Sequence, residues 1–128
     1  MLFARAPKKI LIIDDNKDLL TFIGKILEGE KYVVFSTSQG KGAVDLARGV
    51  KPDLILLDIL LPDMDGGEIE RVLKIDPATR DIPIVYMTAL VSREDEEITR
   101  TSKNKRRLLA KPVTKERLIE TIKEVLAL

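Results

Sequence analysis

Apolar residues fall along this chain in two alternating rhythms. Short apolar runs lie at Lys9–Ile13, Tyr32–Phe35, Leu54–Leu57, Ile84–Met87 and, more weakly, Arg107–Ala110. Between them the spacing becomes helical, with residues at i, i+3, i+4 and i+7 sharing a face. Leu19, Phe22, Ile23, Ile26 and Leu27 make one such stripe, and Ala43, Leu46, Ala47 and Val50 a second. Ile69, Val72 and Leu73 give a shorter third; Leu118, Ile119, Ile122, Val125 and Leu126 form the clearest. The segment 92–103 is the weak one. Its large apolar residue is Ile98, Ser92 and Asp95 make a capping pair, and Glu96 and Arg100 stand i, i+4 apart. A helix with so small an apolar face is expected to be loosely held.

The order is therefore strand then helix, five times over. The middle runs are continuous rather than alternating, as expected for a parallel sheet covered on both faces. Right-handed crossovers then place helices on both sides. The pattern predicts an α/β fold, a doubly wound (βα)5 domain around a parallel five-stranded sheet. The 128 residues are the length of one such domain. An N-terminal extension over 1–8 and the domain over 9–128 are expected.

Composition narrows the chemistry. Apolar residues make up 45% of the chain, enough for a full core. The longest apolar runs, such as Ile10–Ile13, fall far short of the roughly 20 residues that span a bilayer, so no membrane role is expected. Met1–Lys9 does not read as a secretory signal, because Arg5 and Lys8 follow a very short apolar patch; a cytoplasmic location follows. The 22 basic and 21 acidic residues nearly cancel, which speaks against nucleic acid as a partner. Cysteine and histidine are both absent. That excludes disulfides, thiolate nucleophiles, imidazole-based triads and most zinc sites.

In open α/β sheets, ligands bind beyond the carboxyl ends of the strands. Asp14 and Asp15 follow the first strand, Asp58 the third, Thr88 and Ala89 the fourth, and Lys111 and Pro112 the fifth. Three carboxylates, a hydroxyl and an ammonium thus converge on one edge. Clustered carboxylates repel one another, and a hard divalent cation such as Mg²⁺ relieves this while leaving positions for phosphoryl oxygens. Capping of the next helix is the plainer role for Asp14 and Asp15. A carboxylate such as Asp58 can accept a phosphoryl group as an acyl phosphate, given an in-line nucleophile, a metal and a positive charge. Lys111 supplies that charge. The Thr88 hydroxyl can donate to a phosphoryl oxygen, with small Ala89 leaving room. A cis Lys111–Pro112 bond is compatible with the sequence.

Asp14-Asp15, the stretch Asp58-Ile59-Leu60-Leu61-Pro62-Asp63-Met64-Asp65-Gly66, Thr88-Ala89 and Lys111-Pro112 together resemble the motifs of response-regulator receiver domains. The likeness runs from about Lys9 to Leu126. It implies a flavodoxin-like strand order 2-1-3-4-5 and a two-component signalling switch rather than a turnover enzyme. It also implies a role for each matched residue. Asp58 would be phosphorylated, and Asp15, Asp58 and the backbone carbonyl of Leu60 would ligate Mg²⁺, with Asp14 acting through water. Lys111 would contact the phosphoryl group and Thr88 would swing toward it. The donor would be a phosphohistidine on a sensor histidine kinase or phosphotransfer protein. A downstream protein, or self-association, would use the segments 92–110 and 114–127. One position departs from the family. Leu108 stands where an aromatic residue is usual, preceded by Asn104-Lys105-Arg106-Arg107 instead of small and acidic residues. The expected readout therefore shifts to the segment 92–103 and the basic run Lys103–Arg107, whose plainer role is a solvated face paired with Glu94–Glu97.

Three rivals belong to other classes. A flavodoxin-like flavin carrier needs a Gly/Ser/Thr-rich phosphate loop after the first strand, where this chain has two aspartates. A haloacid-type phosphohydrolase puts its nucleophile after the first strand as Asp-x-Asp, which Asp14-Asp15-Asn16 does not match. A receiver-shaped interaction module that never uses phosphate is kept open by Leu108.

Overall fold

The computed structural model describes residues 6–89 and 107–127. Its elements are β1 (Lys9–Ile13), α1 (Lys17–Gly29), β2 (Val33–Thr37), α2 (Ala43–Val50), β3 (Leu54–Asp58), α3 (Gly66–Ile75), β4 (Ile84–Thr88), β5 (Arg107–Ala110) and α4 (Lys115–Leu126). The strands form one parallel sheet in the order β2-β1-β3-β4-β5, so the doubly wound fold class is borne out. Four helices lie among the described residues. The expected helix over 92–103, with Ser92, Asp95, Glu96, Ile98 and Arg100, lies outside them. So do Glu94–Glu97, the run Lys103–Arg106 and the first five residues of the extension.

The strands alternate their side chains between two cores. Ile10, Ile12, Leu54, Leu56, Val85, Met87 and Leu109 point to one face, where Ile23 and Leu27 of α1 and Leu118 and Ile122 of α4 cover them. Leu11, Ile13, Ile55, Leu57 and Tyr86 point to the other, against Ala43 and Ala47 of α2 and Ile69 and Leu73 of α3. The apolar residues of β1 and β3, Ile10–Ile13 and Leu54–Leu57, are fully buried. Each such Leu or Ile contributes about 1.5–3 kcal/mol relative to exposure. No helix among the described residues is long and apolar enough to cross a membrane.

The boundaries and one stripe differ from expectation. Tyr32 precedes β2 instead of opening it, because its N–H still donates to Leu27 O at the end of α1. β2 then runs on to Thr37, and β3 and β4 each take in one further residue, Asp58 and Thr88. On α1, Phe22 is 47% exposed. The buried face is centred on Ile23, Gly24 and Leu27, with Leu20 packed beside them. Phe22 sits one position back, about 100° round the helix, and falls outside that arc.

Candidate functional site

The chain leaves β1 directly into Asp14, whose N–H donates to Thr37 O at the end of β2 (3.2 Å). Asp14 is fully buried. Its Oδ1 accepts the Asn16 N–H at 2.9 Å, and Asn16 accepts the Leu19 N–H at 3.1 Å. Capping of α1 thus falls to Asn16, not to the two aspartates before it. The second oxygen of Asp14 is left to the site. Lys111 Nζ lies 2.7 Å from Asp14 Oδ2, and no hydrogen-bond donor besides that ammonium reaches this buried oxygen among the described residues.

Asp58 ends β3 at 4% exposure. Its Oδ1 accepts the Leu60 N–H at 3.0 Å, and its Oδ2 lies 3.2 Å from Lys111 Nζ. The same ammonium therefore bridges Asp14 and Asp58. Lys111 follows β5, its N–H donates to Thr88 O (3.0 Å), and the Lys111–Pro112 peptide is cis. Thr88 is buried at the end of β4, one register step beyond the Asp58–Met87 pair. Asp15 is exposed beside them. Asp14, Asp15 and Asp58 each offer an oxygen within 4.8 Å of the others.

The electrostatics of the cluster follow from burial. Desolvation pushes the Asp58 carboxyl above its ordinary value. The Asp14 charge adds to that effect, while the Leu60 N–H and Lys111 oppose it. Burial alone would lower Lys111, but the carboxylates of Asp14 and Asp58 outweigh it and hold the ammonium above its ordinary value. With all three acids ionised against one ammonium, two negative charges stay uncompensated. A small divalent cation matches that excess, and oxygens sharing an octahedral Mg²⁺ lie about 3–4 Å apart. The donor set is all oxygen, it is compact, and its buried Asp14 oxygen has spare acceptor capacity. These residues fit a hard cation.

The loop after β3 is tightly closed. The Gly66 N–H donates to Ile59 O (3.0 Å), and Leu60 bridges to Asp65 across the turn. A Cβ at Gly66 would lie 2.7 Å from Ile59 Cα and 2.9 Å from Asp58 O, so only glycine fits there. Asp65 caps α3 by accepting the Gly67 N–H at 2.8 Å. Its signal was present in the sequence as Asp65 followed three residues on by Glu68. Leu60, expected to lend a backbone carbonyl, lies in this loop and is 55% exposed. Asp63 carries a role that sequence reasoning missed: both its oxygens accept backbone N–H groups of the β2–α2 turn. No local pattern announces a contact between residues 22 and 23 positions apart. Leu108 packs partly buried in the second core, opposite Tyr86. Of the basic run, Arg107 is described; it pairs with Glu124 of α4.

Comparison with known proteins gives the family and the fold. Residues 10–123 match the family model for the response regulator receiver domain. The polar-differentiation response regulator DivK of Brucella anthropi is 38% identical over 120 residues, covering 94% of this chain and 97% of its own. The chemotaxis protein CheY4 of Vibrio cholerae superposes with a TM-score of 0.80 at 25% identity, covering 94% and 99% of the two chains. A CheY-like response regulator receiver domain protein of Methanospirillum hungatei gives 0.77 at 31% identity, with 95% of each chain covered.

Proposed function

The chain belongs to the response regulator receiver domain family, and on that premise we propose that it is a phosphoacceptor switch whose phosphorylated residue is Asp58. The observation that carries this reading is the meeting of Asp14, Asp15 and Asp58 within 4.8 Å around a lysine that touches two of them. Asp15 and Asp58, with the Leu60 carbonyl, would hold Mg²⁺, and Asp14 would reach it through water. The ion supplies charge neutralisation at the phosphoryl oxygens when bound.

Asp58 provides the nucleophile. One carboxylate oxygen attacks phosphorus, the bond from phosphorus to the donor imidazole nitrogen breaks, and that nitrogen keeps the electron pair and takes up a proton. An acyl phosphate on Asp58 and a neutral imidazole result. The Leu60 N–H fixes Oδ1 of Asp58 and leaves Oδ2 as the attacking atom. Lys111, already 3.2 Å from that oxygen, is placed to follow the developing charge onto the phosphoryl group. Thr88, at the end of the neighbouring strand, would donate its hydroxyl. This sequence carries no histidine, so the phosphohistidine would come from another chain or domain, such as a sensor histidine kinase or phosphotransfer protein. This reading places the protein in the cytoplasm as a switch rather than a turnover enzyme. Its downstream contact, or its own copy, would use the segments 92–110 and 114–127.

The second reading is a receiver-shaped module that works without phosphate, and Leu108 in the usual aromatic position favours it. Intact mass after incubation with Mg²⁺ and a small acyl-phosphate donor separates the two. The wild type is expected to gain one phosphoryl group and Asp58→Asn none. Equal behaviour of the two proteins would sink the switch.

A further inference from the structure

The loop 59–65 is held on its outer limb by a contact between distant parts of the chain. Asp63 Oδ1 accepts the Gly40 N–H at 3.0 Å, and Asp63 Oδ2 accepts the Lys41 N–H at 2.9 Å. Two successive amides on one carboxylate make a charge-assisted pair, stronger than neutral bonds. They hold the Asp63 carboxyl below its ordinary value, so it is ionised at neutral pH. The approach is close. A Cβ at Gly40 would lie 2.8 Å from Met64 Cβ and 3.0 Å from Ile69 Cδ1.

Followed outward, these contacts close a ring. Asp14 N–H binds Thr37 O, and Thr37 Oγ1 accepts the Gln39 N–H at 3.3 Å. Gly40 and Lys41 then bind Asp63, and three residues back the Leu60 N–H binds Asp58. The ring begins at one buried aspartate of the acidic cluster and ends at the other. It also touches α2, whose N-cap, Gly42 at φ 83°, has no side chain to cap with. The Gly40 carbonyl instead accepts the Ala43 N–H (3.0 Å).

We propose that Asp63 is a positioning residue that locks the phosphoacceptor loop to the β2–α2 turn and so fixes Leu60 and Asp58 relative to Asp14 and Asp15 for cation binding. The cation part of this proposal rests on the reading of the acidic cluster given above. Losing the tie frees the loop at its outer limb, and supporting groups outside the ligand set typically change metal affinity tenfold or more.

The test compares Asp63→Ala, Asp63→Asn and a distant control, Arg48→Ala. The control breaks the tie of α2 to Asp76 at the far end of the helix (2.6 Å). Two quantities are read: Mg²⁺ affinity by calorimetry, and amide exchange of Leu60 in metal-free protein. Asp63→Ala is expected to weaken Mg²⁺ about tenfold and to speed Leu60 exchange. Asp63→Asn keeps the shape but has only one acceptor oxygen, so it should fall between. Arg48→Ala should leave both quantities at the wild-type value. Unchanged Leu60 exchange in Asp63→Ala, or an equal effect from Arg48→Ala, overturns the proposal. If the wild type takes up no Mg²⁺, the cation reading of the cluster fails, and Leu60 exchange alone then decides the role of Asp63.

Discussion

Burial at the end of β3 raises the Asp58 carboxyl above the ordinary range, with Asp14 adding to the effect and the Leu60 N–H and Lys111 opposing it. In the unfolded chain that group returns to its usual value, so the folded state binds the proton more tightly. The stability this gives is complete below the unfolded value and is lost as pH rises through the folded one. At neutral pH, without a divalent cation, the ionised Asp58 therefore works against folding. Asp58→Asn is expected to melt higher than wild type in chelator at pH 7, by roughly 2–5 °C. The gap should close on acidification below about pH 4, and thermal unfolding followed by circular dichroism checks both. A lower melting point for the variant at pH 7 would contradict it. At this scale the sequence was informative where chemistry is local. Asp14, Asp58 and Lys111 could be placed because each stands at the end of an apolar run. Phe22 could not, since a stripe gives a helix face only to within the width of its arc, and Gly24 and Leu20 turned that arc away. Asp63 could not either, because its partners are chosen by the packing of two turns.

At the scale of elements, interiors were legible and ends were not. Continuous runs such as Leu54–Leu57 admit one interpretation, a strand buried on both faces. Their last residues are polar, and Asp58 and Thr88 join the ladder because a neighbouring strand is there to bond them, which no run length reveals. The turn after β3 is the sharpest case. Gly66 admits no side chain because Ile59 Cα and the Asp58 carbonyl lie under 3 Å from where a Cβ would stand. Both are backbone atoms and cannot rotate aside. Gly66→Ala is expected to destabilise the fold by about 1–3 kcal/mol, the usual cost of forcing extra volume into a packed site. Equilibrium urea unfolding measures this directly. A loss below about 0.5 kcal/mol, as at an ordinary surface site, would show that the loop is able to open.

At the scale of the whole molecule, acids among the described residues push the pH response in two directions. Backbone N–H groups of Lys41 and Gly40 lower Asp63. The Ala78 N–H and Arg48 lower Asp76, and Arg71 lowers Glu68. Each contributes stability that is present above its unfolded value and is lost as pH falls through its depressed folded value. Asp58 acts in the opposite direction. The expected outcome, without a divalent cation, is a protein most stable on the mildly acidic side of neutral. It weakens below about pH 4 as the depressed acids protonate, and it loses the Asp58 contribution as pH rises toward neutrality. Replacing Asp63 by Ala should flatten the acid limb, while Asp58→Asn should steepen the net loss by removing the opposing group. Denaturation midpoints across a pH series check this, and a steeper limb in Asp63→Ala would contradict it. The topology was legible at this scale from the alternation of strand and helix, with the strand order supplied by family resemblance.

The two central strands have further bearing on how any message leaves the molecule. Ile10–Ile13 and Leu54–Leu57 are wedged from above and below, and close-packed interiors deform very little. Volume added at the tip of β3 by the proposed modification of Asp58 would be resisted by the strand and by the sheet around it. It must be taken up outward, among the turns crowning the carboxyl rim. A partner seated at the opposite rim, near Lys9, Asp53 and Pro83, is expected to sense less of that change than one seated at the carboxyl rim.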